Sequence, residues 1–348
     1  MDNDRQIELH WPMAGVDRRY GWNRQPPYST PFARNVRPDS AEGKRERGGS
    51  RPGMVKFYAQ ALGDTSKIQM LESIDYLSSN TLVTRTVAVA AGNVYVESTA
   101  GSLSLLGAGG QVSATKILQS SVIDQKMYIA DFDSDPAVSS AARAPKVYSP
   151  VAGTFAALTA TAGTVPYGCP ITCEWRSRLL LAGGTTEPYG IFASKQNDPT
   201  NWDYSETGSG AAWSMAATEN GKIGEPVTAM YAFSDLCLII GCTTSLWIVR
   251  GDPTFGGALD NLSDCIGVID KNACCRTPDG LFVFLSHDGL YAIPAGCDSA
   301  RHPQSLSRER LPDEMRNINI ANFAVSLAYD VSGRGVHIFI TPHTAGSA

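Results

Sequence analysis

The hydrophobic residues of this chain fall in short runs, and the runs come in pairs separated by a tight turn that bears Gly or Asp. The clearest pairs are Leu236–Ile240 with Leu246–Val249, and Leu281–Leu285 with Leu290–Ile293. Runs of about 4–6 residues rich in Val, Ile, Leu, Phe and Tyr, bounded by such turns, are typical of strands in hairpins rather than of helices. The pattern therefore predicts antiparallel β-hairpins along most of the chain.

The paired runs recur at intervals of tens of residues, which is the sequence pattern of a β-propeller or sandwich array. We expect an all-β fold: a β-propeller-like array of antiparallel hairpins over residues 57–348, after an extended N-terminal arm over residues 1–56. The one predicted helix is Pro312–Asn317, and residues 251–278 are expected to form the longest irregular segment. Further copies of the repeated run are Leu82–Ala90, Val94–Val96, Lys126–Ala130, Leu179–Leu181, Ile191–Ala193 and Val336–Ile340.

The N-terminal arm combines helix-breaking prolines with many aromatic side chains. Prolines are spaced along it closely enough to break any helix. Its aromatic residues are too many for a disordered tail. We therefore expect the arm to pack on a surface, either that of its own propeller or that of another subunit. These aromatic residues are Trp11, Tyr20, Trp22, Tyr28 and Phe32.

The charge of the chain is divided unevenly between the arm and the rest. Residues 1–60 contain 11 Lys and Arg against 7 Asp and Glu, hence +4, and the other 288 residues contain 18 against 27, hence −9. An acidic body does not attract a polyanion, so any nucleic-acid contact has to be local. The basic residues of the arm suit phosphate oxygens, or acidic partners on the next subunit. The candidates for DNA or interface contact are Arg34, Arg37, Lys44, Arg45, Arg47 and Arg51.

The start of the sequence predicts a protein made and folded in a cytoplasm, and this origin argues against disulfides. The sequence has 8 cysteines without the paired spacing of a zinc site. We expect buried free thiols, with a disulfide formed after release from the cell as the alternative. The polar, acidic start lacks the apolar core of a secretion signal, and no run of about 18 apolar residues could anchor the chain in a membrane.

Two turns carry residues that could serve either structure or chemistry. The segment ending Asp198–Trp202 resembles the Asp-box turn of sialidase-like propellers, in which a polar turn is held by a packed Trp. We expect Asp198 to accept backbone N–H bonds and Trp202 to cover the hairpin end. A glycosidase would also need an arginine cluster with a Tyr/Glu pair. The spacing of four arginines does not indicate such a cluster; these are Arg85, Arg176, Arg178 and Arg250.

The second turn is formed by Asp252 and Pro253, where a strand leaves its sheet. Asp252 is expected to hydrogen-bond the turn backbone; calcium binding is the alternative, but one carboxylate without alternating Asp or Asn falls short of a calcium loop. The five histidines are scattered and match no catalytic motif. The sequence therefore predicts no enzyme, no cofactor and no metal site.

Three blocks of the chain together resemble the tail nozzle proteins of short-tailed bacteriophages, also called tail tubular protein B or the packaged-DNA stabilisation type. The first comprises Ala33–Pro38 and Arg47–Gly53. The second comprises Trp175–Leu179, Ala193–Lys195 and Asp198–Trp202. The third comprises Leu246–Trp247, Gly251–Pro253, Gly267–Val268, Asp279–Leu285 and Asp288–Tyr291. The order and spacing of the blocks carry the likeness.

The resemblance implies a virion protein of the phage tail, arranged as a homo-hexameric ring below the portal and adaptor proteins. Such a ring extends the channel for double-stranded DNA, helps to retain and deliver the genome, and offers outer faces to tail fibre or spike proteins. It implies no catalytic residues. The chain ends soon after its last predicted strand, whereas nozzle proteins continue with further strands. We therefore expect either a shortened relative of these proteins, or a fragment, or a last blade that a neighbouring polypeptide completes.

Two hypotheses from other classes stay open. A propeller-type glycan-binding or depolymerising protein of the tail would have aromatic platforms and paired carboxylates on one propeller face. A cellular propeller scaffold would work as a monomer and would lack a basic, proline-rich arm.

Overall fold

The structure is a computed structural model, and it describes residues 14–34, 36–37, 49–50, 57–58, 62, 67–107, 111–132, 144–215, 223–294, 302–311, 313, 315–316, 318–331 and 335–343. For residues 36–37 and 49–50 the backbone alone is described. The predicted all-β, propeller-like fold is confirmed. The N-terminal part forms two short strand pairs, namely β1 (Gly15–Val16) with β2 (Ser29–Thr30) and β3 (Val36–Arg37) with β4 (Gly49–Ser50).

Five antiparallel sheets of four strands each follow one another along the chain, and in each sheet consecutive strands pair. Sheet I contains β5 (Ile68–Ser78), β6 (Thr81–Ala90), β7 (Asn93–Thr99) and β8 (Ser102–Leu105). Sheet II contains β9 (Gln119–Ile123), β10 (Lys126–Ala130), β11 (Lys146–Ser149) and β12 (Thr154–Ala157). Next come β13 (Ala162–Gly163) and its parallel partner β17 (Asn201–Trp202). Sheet III contains β14 (Ile171–Trp175), β15 (Arg178–Ala182), β16 (Ile191–Ala193) and β18 (Trp213–Met215).

The C-terminal half continues in the same way. Sheet IV contains β19 (Val227–Ser234), β20 (Cys237–Cys242), β21 (Leu246–Arg250) and β22 (Ala258–Ser263). Sheet V contains β23 (Cys274–Arg276), β24 (Phe282–Ser286), β25 (Gly289–Ile293) and β26 (Gln304–Ser305). A two-stranded hairpin, β27 (Phe323–Asp330) with β28 (Gly335–Pro342), follows sheet V.

Two-residue turns join several of these strands. Ser79–Asn80 and Asp124–Gln125 have positive φ at both positions, as does Arg176–Ser177. Such turns match the right-handed twist of paired strands and therefore give tight hairpins. They explain why the hydrophobic runs of the sequence are separated by so few residues.

The second strands of the sheets are buried on both faces. Every residue of β15, β20 and β24 is buried. Side chains alternate along a strand, so Leu179 of β15 packs toward sheet II and Leu180 packs toward sheet IV. Sheet III is thus covered by sheet II on one face and by sheet IV on the other.

The sheets surround a common axis. The first strands β5, β9, β14 and β19 contact one another in chain order, and β23 contacts β27. Sheets IV and V share one hydrophobic core with β27. Lys67 Nζ, just before β5, donates a hydrogen bond to the His343 carbonyl, just after β28, at 3.0 Å. The described array thus comprises five four-stranded sheets followed by the β27–β28 hairpin, whose end lies beside the start of β5.

Two sequence-based expectations about elements are corrected. In the predicted helix Pro312–Asn317, the described residues 313, 315 and 316 lie in turns or bends, and the other three lie outside the described residues. Residues 251–278 are less irregular than predicted, because they contain β22, β23 and the short 3₁₀ helix Pro253–Phe255. Strand β22 was missed because its two buried leucines are separated by polar residues that face solvent. A second 3₁₀ helix spans Trp22–Arg24.

The expectation of free thiols is wrong for one cysteine. Cys237 is disulfide-bonded, although its strand was expected to hold it as a small buried hydrophobe. Burial raises the pKa of Cys169, Cys173 and Cys242 to about 12, which keeps these thiols protonated and unreactive. The free cysteines in the described part of the chain are Cys169, Cys173, Cys242, Cys265, Cys274 and Cys275.

Candidate functional site

The described part of the arm packs on the chain's own body. Strand β1 runs parallel to β2, pairing Gly15 with Ser29. The Arg18 N–H donates to the Arg310 carbonyl at 3.0 Å, and Arg310 Nη1 donates back to the Ala14 carbonyl at 3.2 Å. Residues 14–34 are thereby fixed next to the loop that follows sheet V.

An ion pair shapes the arm between its two strands. Arg19 Nη2 contacts the Asp17 carboxylate at 2.7 Å, and this hydrogen bond lowers the pKa of Asp17. The same guanidinium lies 3.5 Å from the carboxylate of Glu309 on the body. Arg19 is thus paired with acidic groups of its own chain.

The arm also presents aromatic side chains to solvent. Trp22 is 73% exposed, Phe32 58%, Tyr28 46% and Tyr20 43%. We call these four residues the aromatic arm face. Exposed aromatic residues grouped on one segment mark an interaction surface rather than a core. The fifth aromatic residue of the arm, Trp11, lies outside the described residues.

The basic candidates of the arm are only partly described. Arg34 is exposed, and Arg37 lies in β3, where it is the register partner of Gly49 in β4. The structure therefore brings the two ends of the basic segment together at the backbone. Lys44, Arg45, Arg47 and Arg51 lie outside the described residues.

The turn at Asp198 is built as an Asx-turn. Asp198 Oδ1 accepts hydrogen bonds from the Thr200 backbone N–H at 3.1 Å and from its hydroxyl at 2.6 Å. Trp202 is 1% exposed, and its indole N–H donates to the Pro199 carbonyl at 3.0 Å. These hydrogen bonds hold the shape of the turn.

Asp252 joins two sheets through a buried ion pair. Its carboxylate accepts from the Thr254 backbone N–H at 3.0 Å and from Arg178 Nη1 at 3.0 Å, while Arg176 Nε lies 3.7 Å away. Burial opposes ionisation of Asp252, but the bonds from Thr254 and Arg178 outweigh it and lower its pKa. Pro253 opens the 3₁₀ helix that this carboxylate caps.

The surroundings of Asp252 do not favour a metal ion. Two guanidinium groups already neutralise its charge, so a cation would have to displace Arg178, which is completely buried. Among the described residues no group of three or more His, Cys, Asp or Glu side chains is placed to hold a metal ion. The described chain also contains no helix that is both long and apolar enough to cross a membrane.

Sequence reasoning missed a buried lysine near the centre of the array. Lys271 is 7% exposed, and its Nζ donates to the carbonyls of Ile117 at 2.8 Å and Pro170 at 2.9 Å. The ammonium lies 4.6 Å from the centre of the Phe132 ring. Burial lowers the pKa of Lys271 to about 8. No pattern in the sequence distinguishes the adjacent Asp270 and Lys271 from an Asp-Lys pair in a solvent-exposed turn.

The neighbouring Asp270 extends these contacts to the last hairpin. Its Oδ2 accepts from the Val325 backbone N–H at 3.3 Å, and burial raises its pKa. Gln119 Nε2 donates to the Lys271 carbonyl at 3.4 Å. The Asp270–Lys271 pair thus connects sheets II and III with β27.

A pocket of about 170 Å³ lies beside sheet III. Three aromatic residues, Tyr167, Phe192 and Tyr204, line it, together with the aliphatic rings and chains of Val165 and Pro166. We call it the aromatic pocket. Its described lining contains one carboxylate, that of Glu187.

Comparisons with known proteins give a likeness of fold. No protein-family model matches the chain, and no curated protein matches it. The extracellular domain of a candidate hybrid two component system from B. thetaiotaomicron aligns at 9% identity with a TM-score of 0.51, over 83% of this chain and 33% of the other. A second structure of that domain, described as a one component system, gives a TM-score of 0.50 over the same shares at 9% identity.

These two domains are much longer proteins, and this chain spans about a third of their length. Virginiamycin B lyase from Staphylococcus aureus aligns over 77% of this chain and 83% of its own at 10% identity, with a TM-score of 0.43. At such identities the likeness concerns the architecture alone. It carries no activity or substrate over to this chain.

Proposed function

We propose that this chain is a structural virion protein of a short-tailed bacteriophage, which forms a ring, or nozzle, in the tail. The ring would extend the DNA channel below the portal and adaptor proteins and help to retain and deliver the genome. The observation that carries the proposal is an exposed aromatic arm face fixed on a propeller-like body. Tail fibre or spike proteins would bind the outer faces.

In this proposal the arm joins one subunit to the next, or to the ring above. Its described part is anchored on residues 309–310 of its own chain, so the aromatic arm face is held at a defined place on the body. Burying Trp22 and Phe32 against a neighbour removes a large apolar area from water, and aromatic side chains are enriched in the centres of such interfaces. The arginines of residues 34–51 would pair with acidic groups around that contact.

The acidic body suits a channel through which DNA must move. Residues 61–348 carry 27 acidic against 18 basic side chains. Strong pairing of Lys or Arg with phosphates would hold DNA in place, because each such contact releases counterions and adds affinity. A channel wall with few unpaired cations lets the duplex slide. At physiological salt, screening limits the repulsion between the acidic wall and the DNA to about 8 Å.

Removal of residues 1–53 tests the role of the arm. The truncated chain should keep the β-rich circular dichroism spectrum of the body but should fail to enter phage particles, as measured by quantitative mass spectrometry of purified particles. A finer variant, W22D with F32D, should reduce incorporation at least tenfold. The matched control is V151D, which places a charge at another exposed apolar residue, 67% exposed and outside the arm. Normal occupancy of the truncated chain would contradict the proposed role of the arm.

A further inference from the structure

The β5–β6 hairpin extends beyond the rest of sheet I. Strand β7 pairs with residues 87–90 of β6, whereas β5 and β6 continue to pair as far as Ser78 and Thr81. The far half of the hairpin, residues 73–86, therefore extends beyond the part that is paired with β7. A two-residue turn at Ser79–Asn80, with φ of 49° and 63°, closes it.

The end of this hairpin carries two exposed leucines. Leu77 and Leu82 are register partners, 52% and 67% exposed. The residues between them, Ser78 to Thr81, are uncharged and exposed. We call Leu77, Leu82 and this turn the leucine tip.

The leucine tip is held in place rather than free. The Leu77 backbone N–H donates to Gln125 Oε1 at 2.6 Å, which fixes the hairpin against the β9–β10 turn of sheet II. Farther from the turn, the Arg85 guanidinium lies 5.5 Å from the centre of the Tyr76 ring. A rigid hairpin that exposes paired leucines loses little conformational entropy when they are buried, which favours binding to a preformed hole.

The aromatic pocket has the size and lining to accept such a tip. Its volume of about 170 Å³ is close to the roughly 150 Å³ of an apolar cavity that accepts benzene, so it holds about one leucine side chain. Tyr204, on its wall, is 38% exposed, which shows that the pocket opens to solvent. The tip brings no charge that would have to be desolvated beside the apolar rings.

Tip and pocket are two different surfaces of one chain. The tip belongs to sheet I and hydrogen-bonds to the β9–β10 turn of sheet II, and the pocket lies beside sheet III. A closed ring of identical subunits needs two such different surfaces on each subunit.

We propose that the leucine tip of one copy inserts into the aromatic pocket of the next copy and so forms a head-to-tail contact of the ring. This inference rests on the proposed ring function and assigns it a second interface, separate from the arm. Leu82, the more exposed of the two leucines, would enter the pocket between Phe192 and Tyr204. The contact is heterologous, so it closes into a ring when the rotation between subunits is right.

Variants of tip and pocket test the contact by native mass spectrometry of the full-length chain. The tip variant is L77E with L82E. The pocket variant is T186W, which fills the pocket from its exposed rim. The matched control is L236E, which charges another leucine, 63% exposed, in the β19–β20 turn.

Wild type and L236E should form rings, and the tip and pocket variants should each self-associate at least tenfold more weakly. A mixture of the two variants should recover dimers, because the intact tip of one variant meets the intact pocket of the other. Rings formed by the tip variant would overturn this contact and leave the proposed ring function intact. A wild-type chain that stays monomeric at its highest soluble concentration would overturn both.

Discussion

At the scale of single residues, the body depends on charges that are fully enclosed. Arg178 is completely buried and Asp252 is 8% exposed, and they meet at 3.0 Å across sheets III and IV. Removing one member of a buried pair leaves the other charge without compensation, which is more damaging than losing an exposed pair. This contact is therefore a sensitive measure of how the two sheets are joined.

We expect D252A to lower the free energy of unfolding by about 3–5 kcal/mol, because it strands the Arg178 guanidinium in the core. Denaturant unfolding monitored by tryptophan fluorescence measures this change. The control is D260A, which removes a 2.8 Å pair between Arg250 and an Asp260 side chain that is 44% exposed, and should cost less than about 1 kcal/mol. Equal losses in the two variants would contradict the account of the buried pair.

The charge on Lys271 gives the stability of the chain a specific dependence on pH. Its pKa is about 8 in the folded chain and 10.5 when unfolded. Between these values the unfolded chain binds a proton that the folded chain has released, so stability rises with pH through this window. The neutral amine keeps its hydrogen bonds to the Ile117 and Pro170 carbonyls.

Relative to K271M, the wild-type chain should therefore gain stability as the pH is raised from 7.5 to 10.5, by up to about 3 kcal/mol. Denaturant midpoints of the two proteins at several pH values give the difference in stability directly. The contributions of the other titrating groups, which both proteins share, cancel in this difference. A difference that is constant across this range, or that falls with rising pH, would show that the burial of the ammonium is not as described.

Residue-scale features were the hardest to predict from the sequence. The turn roles of Asp198 and Asp252 could be inferred, because Asx-turns depend on neighbouring residues. The pairing of Arg178 with Asp252 spans 74 positions, and Lys271 reaches carbonyls 154 and 101 positions away. Contacts of this kind depend on how the sheets pack against one another, and a local sequence pattern does not predict that packing.

At the scale of elements, a loop is fixed to sheet IV by a close approach of two backbones. The Val268 N–H donates to the Cys242 carbonyl at 2.9 Å. A Cβ at the preceding Gly267 would overlap that carbonyl and lie 2.6 Å from the Thr243 carbonyl oxygen. Glycine is needed here because no side chain fits between the two backbones.

We expect G267A to destabilise the chain by about 3 kcal/mol, because main-chain atoms on both sides would have to move. The matched control is G224A, where an added Cβ meets nothing within 4 Å and the change should stay within about 0.5 kcal/mol. Thermal unfolding of both variants measures the difference. A mild effect of G267A would mean that the loop is less tightly docked than described.

The types of the elements were easier to predict from the sequence than the residues at which they begin and end. Hydrophobic runs such as Lys126–Ala130 coincide with a strand, because a buried strand needs apolar residues on both faces. Strand β22 was hidden, since its two buried leucines, Leu259 and Leu262, are three positions apart and separated by polar residues, which does not match the alternation expected of a strand. The disulfide of Cys237 was also missed, because pairing depends on distance in the fold rather than on spacing.

At the scale of the whole molecule, the sheets differ in how completely they are covered. Strands β15, β20 and β24 are buried throughout. In the β27–β28 hairpin, Phe339 is 50% and Ile340 45% exposed, and β28 has no strand partner besides β27 among the described residues. The hairpin should therefore open more readily than the sheets before it.

Hydrogen exchange measured by mass spectrometry should show this order. Amides of β15, β20 and β24 should exchange slowest, and those of β28 at least tenfold faster, because the edge of β28 can open without unfolding the neighbouring sheets. Protection of β28 equal to that of β20 in the isolated chain would indicate that its edge is covered. Protection that appears only on assembly would indicate a partner strand.

The central claim is that the chain is a passive, ring-forming component of a phage tail. Electron micrographs of the assembled full-length chain, averaged without imposed symmetry, test it most directly. We predict closed rings with six-fold symmetry and an open central channel. Images that show only separate particles of the 37.2 kDa chain, or open filaments in place of rings, would contradict the account.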